Sequence, residues 1–327
     1  MITFEIDSEL RQYTEYLRDH GLIEKDDQVT QVSKAGEGNM NVVVRLQTEQ
    51  QSLILKQSRP FVQKYPQLKA PIERIRVEAR FYQVIERHAE LARRMPRILF
   101  RDLANHILVI EDLGRVQDYT SLYAKDVLLE EHVLGDLFNF LALLHQIPRD
   151  EILDFPSNLE LRKLNHEHIF SYPFMVENGF DLDDVTPGLQ EASLIYKNSE
   201  SLKSVVEEVG QIYLGDGAHL LHGDFYPGSW IEVEGMPMVL DPEFAFVGPA
   251  EFDLGVLQAH LRLGGVAMGP IDRSMKQYSV DLDHALVRKY CGIEILRRVI
   301  GLAQLPLDAD LNDKIELLQE AHSLVLH

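Results

Sequence analysis

Three acidic residues set just after short apolar runs are the part of this sequence best suited to chemistry. Asp224 follows Leu220-Leu-His-Gly, and Asp241 and Glu243 follow Val239-Leu. Between them lie two turn-forming stretches, Pro227-Gly-Ser229 and Glu234-Gly235. The pattern predicts a β-ribbon that brings the three carboxylates together at one end. Clustered carboxylates repel one another unless a cation or a substrate proton sits among them. Holding Mg²⁺ and accepting a hydroxyl proton is the expected use, and phosphoryl transfer from ATP needs both.

Other groups could serve the same chemistry, each with a plainer alternative. In Ala35-Gly-Glu-Gly-Asn-Met-Asn41, the residues Gly36, Gly38 and Asn39 would let the backbone approach a phosphate. An ordinary hairpin turn has the same composition, and no Gly-Lys-Ser/Thr follows. Lys56 ends the apolar run Leu53-Ile-Leu and would reach nucleotide phosphates, or else point to solvent as an edge lysine. Glu78, on the next predicted helix, would pair with Lys56 or stand exposed. Val109-Ile-Glu-Asp-Leu-Gly114 closes a strand, and a hinge there would offer backbone groups near Glu111 and Leu113 to an adenine edge. The alternative is an acidic turn. Arg297 and Arg298 interrupt an apolar helix and point about 100° apart, so one can face a site while the other meets a carboxylate. Two surface charges are the alternative. His145 reads as a hydrogen-bonded structural histidine, because no second ligand is spaced with it. His222 is expected to hold its loop and so orient Asp224.

These groups need elements to position them. Ser8–His20 has helical apolar spacing, and Gly21 can end that helix. Three strand-like runs follow, 29–34, 41–46 and 52–57, then one long helix over 72–92 and two more strands at 96–100 and 106–110. Beyond Leu113 the pattern turns helical, over 128–145, 189–212, 251–263, 283–305 and 311–326. The stretch 157–187 reads as irregular. The expected order is an α+β lobe over 1–113 and a larger, mainly helical lobe over 114–327 that carries the ribbon.

Bulk properties narrow the partners. The 327 residues suffice for two lobes, and 45% hydrophobic content can build a core. The net charge of −20 argues against a nucleic-acid partner. The single cysteine, Cys291, excludes an internal disulfide framework. No apolar run reaches roughly the 18 residues of a membrane span, and the N-terminus is unlike a signal peptide. A cytoplasmic enzyme is expected, with a homodimer left open.

Taken together the segments resemble the aminoglycoside and choline phosphotransferase family and, within it, the methylthioribose kinases. Leu221-His-Gly-Asp-Phe225, Asp241-Pro-Glu243, Leu55-Lys-Gln57, Glu111-Asp-Leu113, Phe252-Asp253 and Arg297-Arg298-Val-Ile-Gly-Leu-Ala303 carry the likeness. Ser229 stands where many family members have asparagine, and methylthioribose kinases share that departure. The likeness implies a protein-kinase-like two-lobe fold and an ATP- and Mg²⁺-dependent kinase of a sugar hydroxyl, most of all methylthioribose or a related ribose derivative. Asp224 would be the catalytic residue. Asp241 and Glu243 would be metal ligands. Gly36, Gly38, Asn39, Lys56, Glu78, Glu111 and Leu113 would hold nucleotide, and Arg297 and Arg298 the acceptor. A kinase of an amino alcohol or aminoglycoside, an inactive nucleotide-binding module and a protein kinase are the competing readings. No His-Arg-Asp, Asp-Phe-Gly or Ala-Pro-Glu segment supports the last.

Overall fold

The computed structural model describes residues 2–36 and 40–327. Gly38 and Asn39, expected at the phosphate-covering turn, lie outside the described residues. The chain forms two compact units, Met1–Val116 with Met238–Phe244, and Gln117–Pro237 with Ala245–His327. The division falls after Val116 rather than Leu113. The stretch Met238–Phe244, which carries Asp241 and Glu243, groups with the N-terminal unit.

The first unit contains α1 (Leu10–Asp19), β1 (Val29–Lys34), β2 (Val42–Thr48), β3 (Ser52–Gln57), the short hairpin β4 (Phe61–Val62) and β5 (Tyr65–Lys69), α2 (Arg74–Ile85), α3 (Ala89–Ala92), β6 (Ile98–Asp102) and β7 (Ile107–Glu111). Five strands make an antiparallel sheet in the order β1-β2-β3-β7-β6. Strand β3 is central, and almost every residue on it is buried. Side chains alternate along a strand, so its two faces separate cleanly. Leu53 and Leu55 join Phe4, Tyr13, Leu17 and Val44 on the α1 side. Ile54 joins Ile75, Ala79 and Leu108 on the α2 side. Lys56 shares the parity of Ile54 and therefore faces α2. The helix expected over 72–92 is broken. His88 takes an extended conformation at φ −115° and ψ 92°, and its carbonyl accepts the N–H groups of Leu91 and Ala92.

The second unit is mainly helical. It holds α4 (Glu131–His145), α5 (Leu159–His166), α6 (Leu189–Lys197), α7 (Glu200–Leu214), β8 (His219–Leu221), β9 (Trp230–Val233), β10 (Met236–Val239), β11 (Phe246–Gly248), α8 (Ala250–Leu263), α9 (Met268–Met275), α10 (His284–Ile300) and α11 (Leu311–Leu326), the end of β10 passing into the first unit. The segment 157–187, expected to be irregular, includes α5 and a π turn over Glu167–Ser171. The single helix expected over 189–212 is two, because Ser199 caps α7 by accepting the Leu202 N–H. Gly255 lets α8 and α10 approach closely: a side chain there would run into Tyr290 and the Cys291 backbone.

The expected ribbon also differs. Strand β8, which leads to Asp224, pairs antiparallel with β11 through Leu221↔Phe246 and Leu220↔Val247. Strand β10, which leads to Asp241, follows β9 through a turn with positive φ at Glu234 and Gly235. That is the signature of a type I′ hairpin, whose local chemistry outcompetes pairing between the two acid-bearing strands. Among the described residues, no helix is long and apolar enough to cross a membrane.

Candidate active site

In the first unit a buried lysine organises the site. Lys56 sits opposite Val43 and Leu108 in the sheet. Its Nζ lies 2.8 Å from Glu78 Oε2 on α2 and 2.6 Å from Asp241 Oδ1. Burial opposes its charge, but Asp241, Glu78 and Glu243 together hold the ammonium well above the usual lysine range. Burial pushes Glu78 up to about 7, even with Lys56 pulling the other way. Asp241 is the open member of the group: its side chain is 49% exposed, and its backbone adopts a left-handed φ of 59°. Aspartate tolerates that conformation better than most residues, and such conformers concentrate at functional positions.

Glu243 is held differently. Its Oε2 accepts from Asn41 Nδ2 at 2.9 Å and lies 3.1 Å from Arg74 Nε. Asn41 Oδ1 in turn accepts from Arg74 Nε and Ser58 Oγ, both at 3.0 Å. Arg74 is fully buried and also donates to the carbonyls of Met40, Arg59 and Pro71. The Asp241–Glu243 segment is thus fastened to the end of the Gly-rich turn by Asn41 and to α2 by Arg74. Gly36 lies exposed at the start of that turn, with no described residue within 4 Å of where a side chain would project.

The expected hinge is organised by a residue the sequence reading passed over. Asp112 accepts a two-pronged ion pair from Arg45 at 2.7 and 2.9 Å, a bond from Ser52, and the Gly114 N–H at 2.9 Å. The Glu111 side chain instead pairs with Arg97, which holds its carboxyl below the usual range. Leu113 is half-buried beside them.

The second unit holds Asp224 on a loop clamped from below. Buried Asp253 on α8 accepts the His222 N–H at 2.7 Å and the Gly223 N–H at 3.0 Å. His145 Nε2 lies 3.2 Å from the same carboxylate, and burial keeps that imidazole below its ordinary pKa. Gly223 adopts a φ of 83°, which a side chain would strain. The Asp224 N–H donates to His222 Nδ1 at 3.3 Å, and Ser229 Oγ donates to the Asp224 carbonyl at 2.9 Å. Backbone geometry at Asp224 is therefore fixed on both sides, while its side chain is 27% exposed.

Arg297 and Arg298 are both largely buried and share one anion. Glu294 accepts from Arg298 Nε at 2.6 Å and from Arg297 Nη1 at 3.0 and 3.2 Å. Burial opposes its charge, but the two guanidiniums hold it well below the usual carboxylate range. Arg298 Nη2 stands 4.0 Å from Asp224 Oδ1, and its guanidinium lies over the Tyr226 ring.

Residues 31–290 match the model of the phosphotransferase enzyme family. The chain belongs to that family. A methylthioribose kinase from Bacillus cereus (strain AH820) is 27% identical over 283 residues, covering 82% of this chain and 69% of its own. One from Bacillus thuringiensis (strain Al Hakam) is 26% identical over the same span and shares. Among solved structures, a choline kinase from Streptococcus pneumoniae aligns with a TM-score of 0.53 at 16% identity, covering 96% of this chain and 98% of its own. A spectinomycin phosphotransferase solved with ADP and spectinomycin aligns at 0.56 and 14% identity, covering 98% of each chain. These confirm a kinase-like fold with an antiparallel-sheet N-lobe and a helical C-lobe, and this phosphotransferase is a small-molecule kinase.

Sequence reasoning missed several residues that arrange this phosphotransferase site. Glu294 was findable: it precedes the two arginines by three and four residues, the spacing of helical neighbours. Asn41, Arg74 and Asp112 carry no such local mark, because their partners lie far along the chain. Among the described residues, no group of three or more His, Cys, Asp or Glu is arranged to hold a metal.

Proposed function

We propose that this phosphotransferase moves the γ-phosphoryl group of ATP to a hydroxyl of a small sugar, methylthioribose or a related ribose derivative. The observation that carries the reading is the buried Lys56, whose ammonium is fixed between Glu78 and Asp241. A lysine immobilised this way is a preorganised phosphate ligand, worth more in a desolvated site than in water. The sugar acceptor is supported by the names of the relatives and by the arginine pair, which disfavours a cationic acceptor.

Each group has a role in this reading. Asp224 takes or orients the acceptor hydroxyl proton, on a backbone locked by Asp253, His222 and Ser229. Lys56 meets phosphate oxygens. The Gly36 turn covers the nucleotide, and the strand end near Glu111 and Leu113 borders its base. Arg297 and Arg298 orient the acceptor or the transferring group.

The donor set fits a magnesium ion in part. Around Lys56 and Arg74 stand three carboxylates, Glu78, Asp241 and Glu243, leaving one negative charge over when all are ionised. Asp241 is half-exposed and engaged by Lys56 through one oxygen, so it would be the principal ligand, with Glu243 steadied by Arg74 and Asn41 as the second. When bound, the ion would neutralise charge on the phosphate oxygens.

The test is an ADP-release assay with and without Mg²⁺ against methylthioribose, ribose, other pentoses, choline and an aminoglycoside. The expected result is selective turnover of methylthioribose or a close ribose derivative. Preference for choline or an aminoglycoside would replace the acceptor assignment, and no turnover of any acceptor would leave only nucleotide binding.

A further inference from the structure

Behind the arginine pair lies a hydrogen-bonded chain that the chemistry above does not use. Tyr123 OH and His260 Nδ1 are 2.6 Å apart, and His260 Nε2 is 3.1 Å from Glu294 Oε1. Both His260 and Glu294 are buried to within about a hundredth of their surface. Glu294 is ionised and can only accept, so His260 Nε2 must carry a proton. Burial pushes the imidazole down to about 4, so it is neutral at working pH and Nδ1 has no proton. Nδ1 therefore accepts from Tyr123 OH, and every donor in the chain has one direction. It runs from Tyr123 to His260 to Glu294, where the two guanidiniums also converge. The Tyr226 ring packs against both His260 and the Arg298 guanidinium.

We propose that Tyr123, His260 and Glu294 are positioning residues that set the orientation of Arg298 and Arg297 and thereby the affinity for the phosphoryl acceptor. The geometry favours this over a generic buried ion pair. Glu294 Oε1 receives both the His260 and the Arg298 Nε bonds, so the imidazole fixes the carboxylate angle that Arg298 must follow. Arg298 is then left with Nη2 facing Asp224. Arg297 is tied to Glu294 through Nη1 alone, and its buried Nε has no hydrogen-bond partner among the described residues. A donor held in place without an acceptor is what a preorganised ligand site presents. The assignment of the ligand as the acceptor rests on the reading under Proposed function. The orientation of the arginines does not.

The test compares His260→Leu, His260→Gln and Tyr123→Phe in the full chain with methylthioribose as acceptor. His260→Leu removes the donor to Glu294 and is expected to raise the acceptor KM by about tenfold to a hundredfold, the loss expected for one hydrogen bond to a charged group. The KM for ATP should stay within about twofold, because Lys56 and Glu78 are untouched. His260→Gln keeps an N–H for Glu294 and should recover most of that loss. Tyr123→Phe should shift the acceptor KM in the same direction by less. If His260→Leu moves the two KM values together, or Gln fails to recover what Leu loses, the positioning role is overturned. A second measurement needs no acceptor. In ¹⁵N spectra the Arg298 Nε–H should exchange slowly in the wild type and quickly in His260→Leu. Unchanged exchange in His260→Leu overturns the relay, whereas the expected change in exchange together with no turnover of methylthioribose by the wild type counts against the acceptor assignment alone.

Discussion

The two units solve opposite electrostatic problems. In the first, one buried cation, Lys56, sits between two carboxylates, with a third within electrostatic reach and itself paired to Arg74. In the second, one buried anion, Glu294, is shared by two guanidiniums and a neutral imidazole. Once Glu78 is ionised, each centre carries a surplus of one sign, negative around Lys56 and positive around Glu294. A buried surplus is costly unless a ligand of the other sign completes it. The first unit is accordingly poised for a cation that arrives with phosphate, the second for electron-rich oxygens of an acceptor or a transferring group. Asp224, 4.0 Å from Arg298, draws on the positive centre without being buried in it.

The sharpest way to break this contrast is Asp224→Asn. Loss of a positioned base is expected to cut kcat by about 10²–10⁴. Nucleotide affinity measured by calorimetry should hardly change, since every residue assigned to the nucleotide belongs to the first unit. Near wild-type turnover would take the proton-accepting role away from Asp224.

Lys56→Ala attacks the negative centre and should show in stability as well as rate. Asp241 can return to water, but Glu78 is buried and, among the described residues, loses its ion-pair partner. Removing one partner of a buried pair typically costs about 3–5 kcal/mol, reduced here to the extent that Glu78 takes up a proton. Urea denaturation of Lys56→Ala and of Lys56→Ala with Glu78→Gln checks this. The double variant should regain much of the lost stability and none of the activity. Equal stability of the two would mean that Glu78 is not the residue bearing the cost.

How far these centres could be foreseen from sequence differs between them. The Lys56 strand was legible because an unbroken apolar run ending in lysine has few structural uses, and strand parity then turns Lys56 toward the helix that carries Glu78. The Gly-Asp224 segment and the arginine pair were legible from their unusual company in apolar stretches. The pairing of β8 with β11 was not, because it joins residues 25 to 29 apart through a register that no local pattern encodes. The Arg74 and Asn41 hold on Glu243 was equally hidden, since it spans most of the fold in sequence. The break between α2 and α3 turns on one residue, His88, with no proline or glycine to announce it.

A smaller effect separates the two centres by pH. The folded-state pKa of Glu78 is raised from its ordinary 4.5 to about 7, so the folded protein holds an extra proton between those values. The stability this proton contributes is complete below about 4.5 and is lost as pH rises through about 7. Glu78→Gln cannot lose it. The melting temperature of the wild type relative to Glu78→Gln should therefore fall steadily as pH rises from about 4.5 to about 7 and level off above that. The Glu294 centre works in the opposite direction: its carboxyl is held far below the window, but His260 is lowered from its ordinary 6.5 to about 4, so its contribution rises with pH up to about 6.5 and cancels in the wild-type-minus-variant difference. A wild-type-minus-variant difference that stays flat from pH 5 to pH 8 would show that Glu78 is ionised throughout.

The mildest perturbation tests whether the Gly-rich turn is shaped by its own fold or by what it receives. Gly36 is exposed, has no left-handed φ, and meets no described residue within 4 Å where a side chain would go. Nothing among the described residues requires glycine there, in contrast to Gly223, whose φ of 83° does. Gly36→Ala should therefore leave the unfolding free energy within about 0.5 kcal/mol of wild type, as for an ordinary surface change. Gly223→Ala should be destabilising by roughly 1 kcal/mol or more from backbone strain alone. If a nucleotide passes close to the turn, Gly36→Ala will still raise the KM for ATP, because the added methyl meets the ligand and not the protein. A KM for ATP as unmoved as the stability would mean that the turn is an ordinary hairpin connection, leaving Lys56 to bind phosphate from the sheet without cover from above.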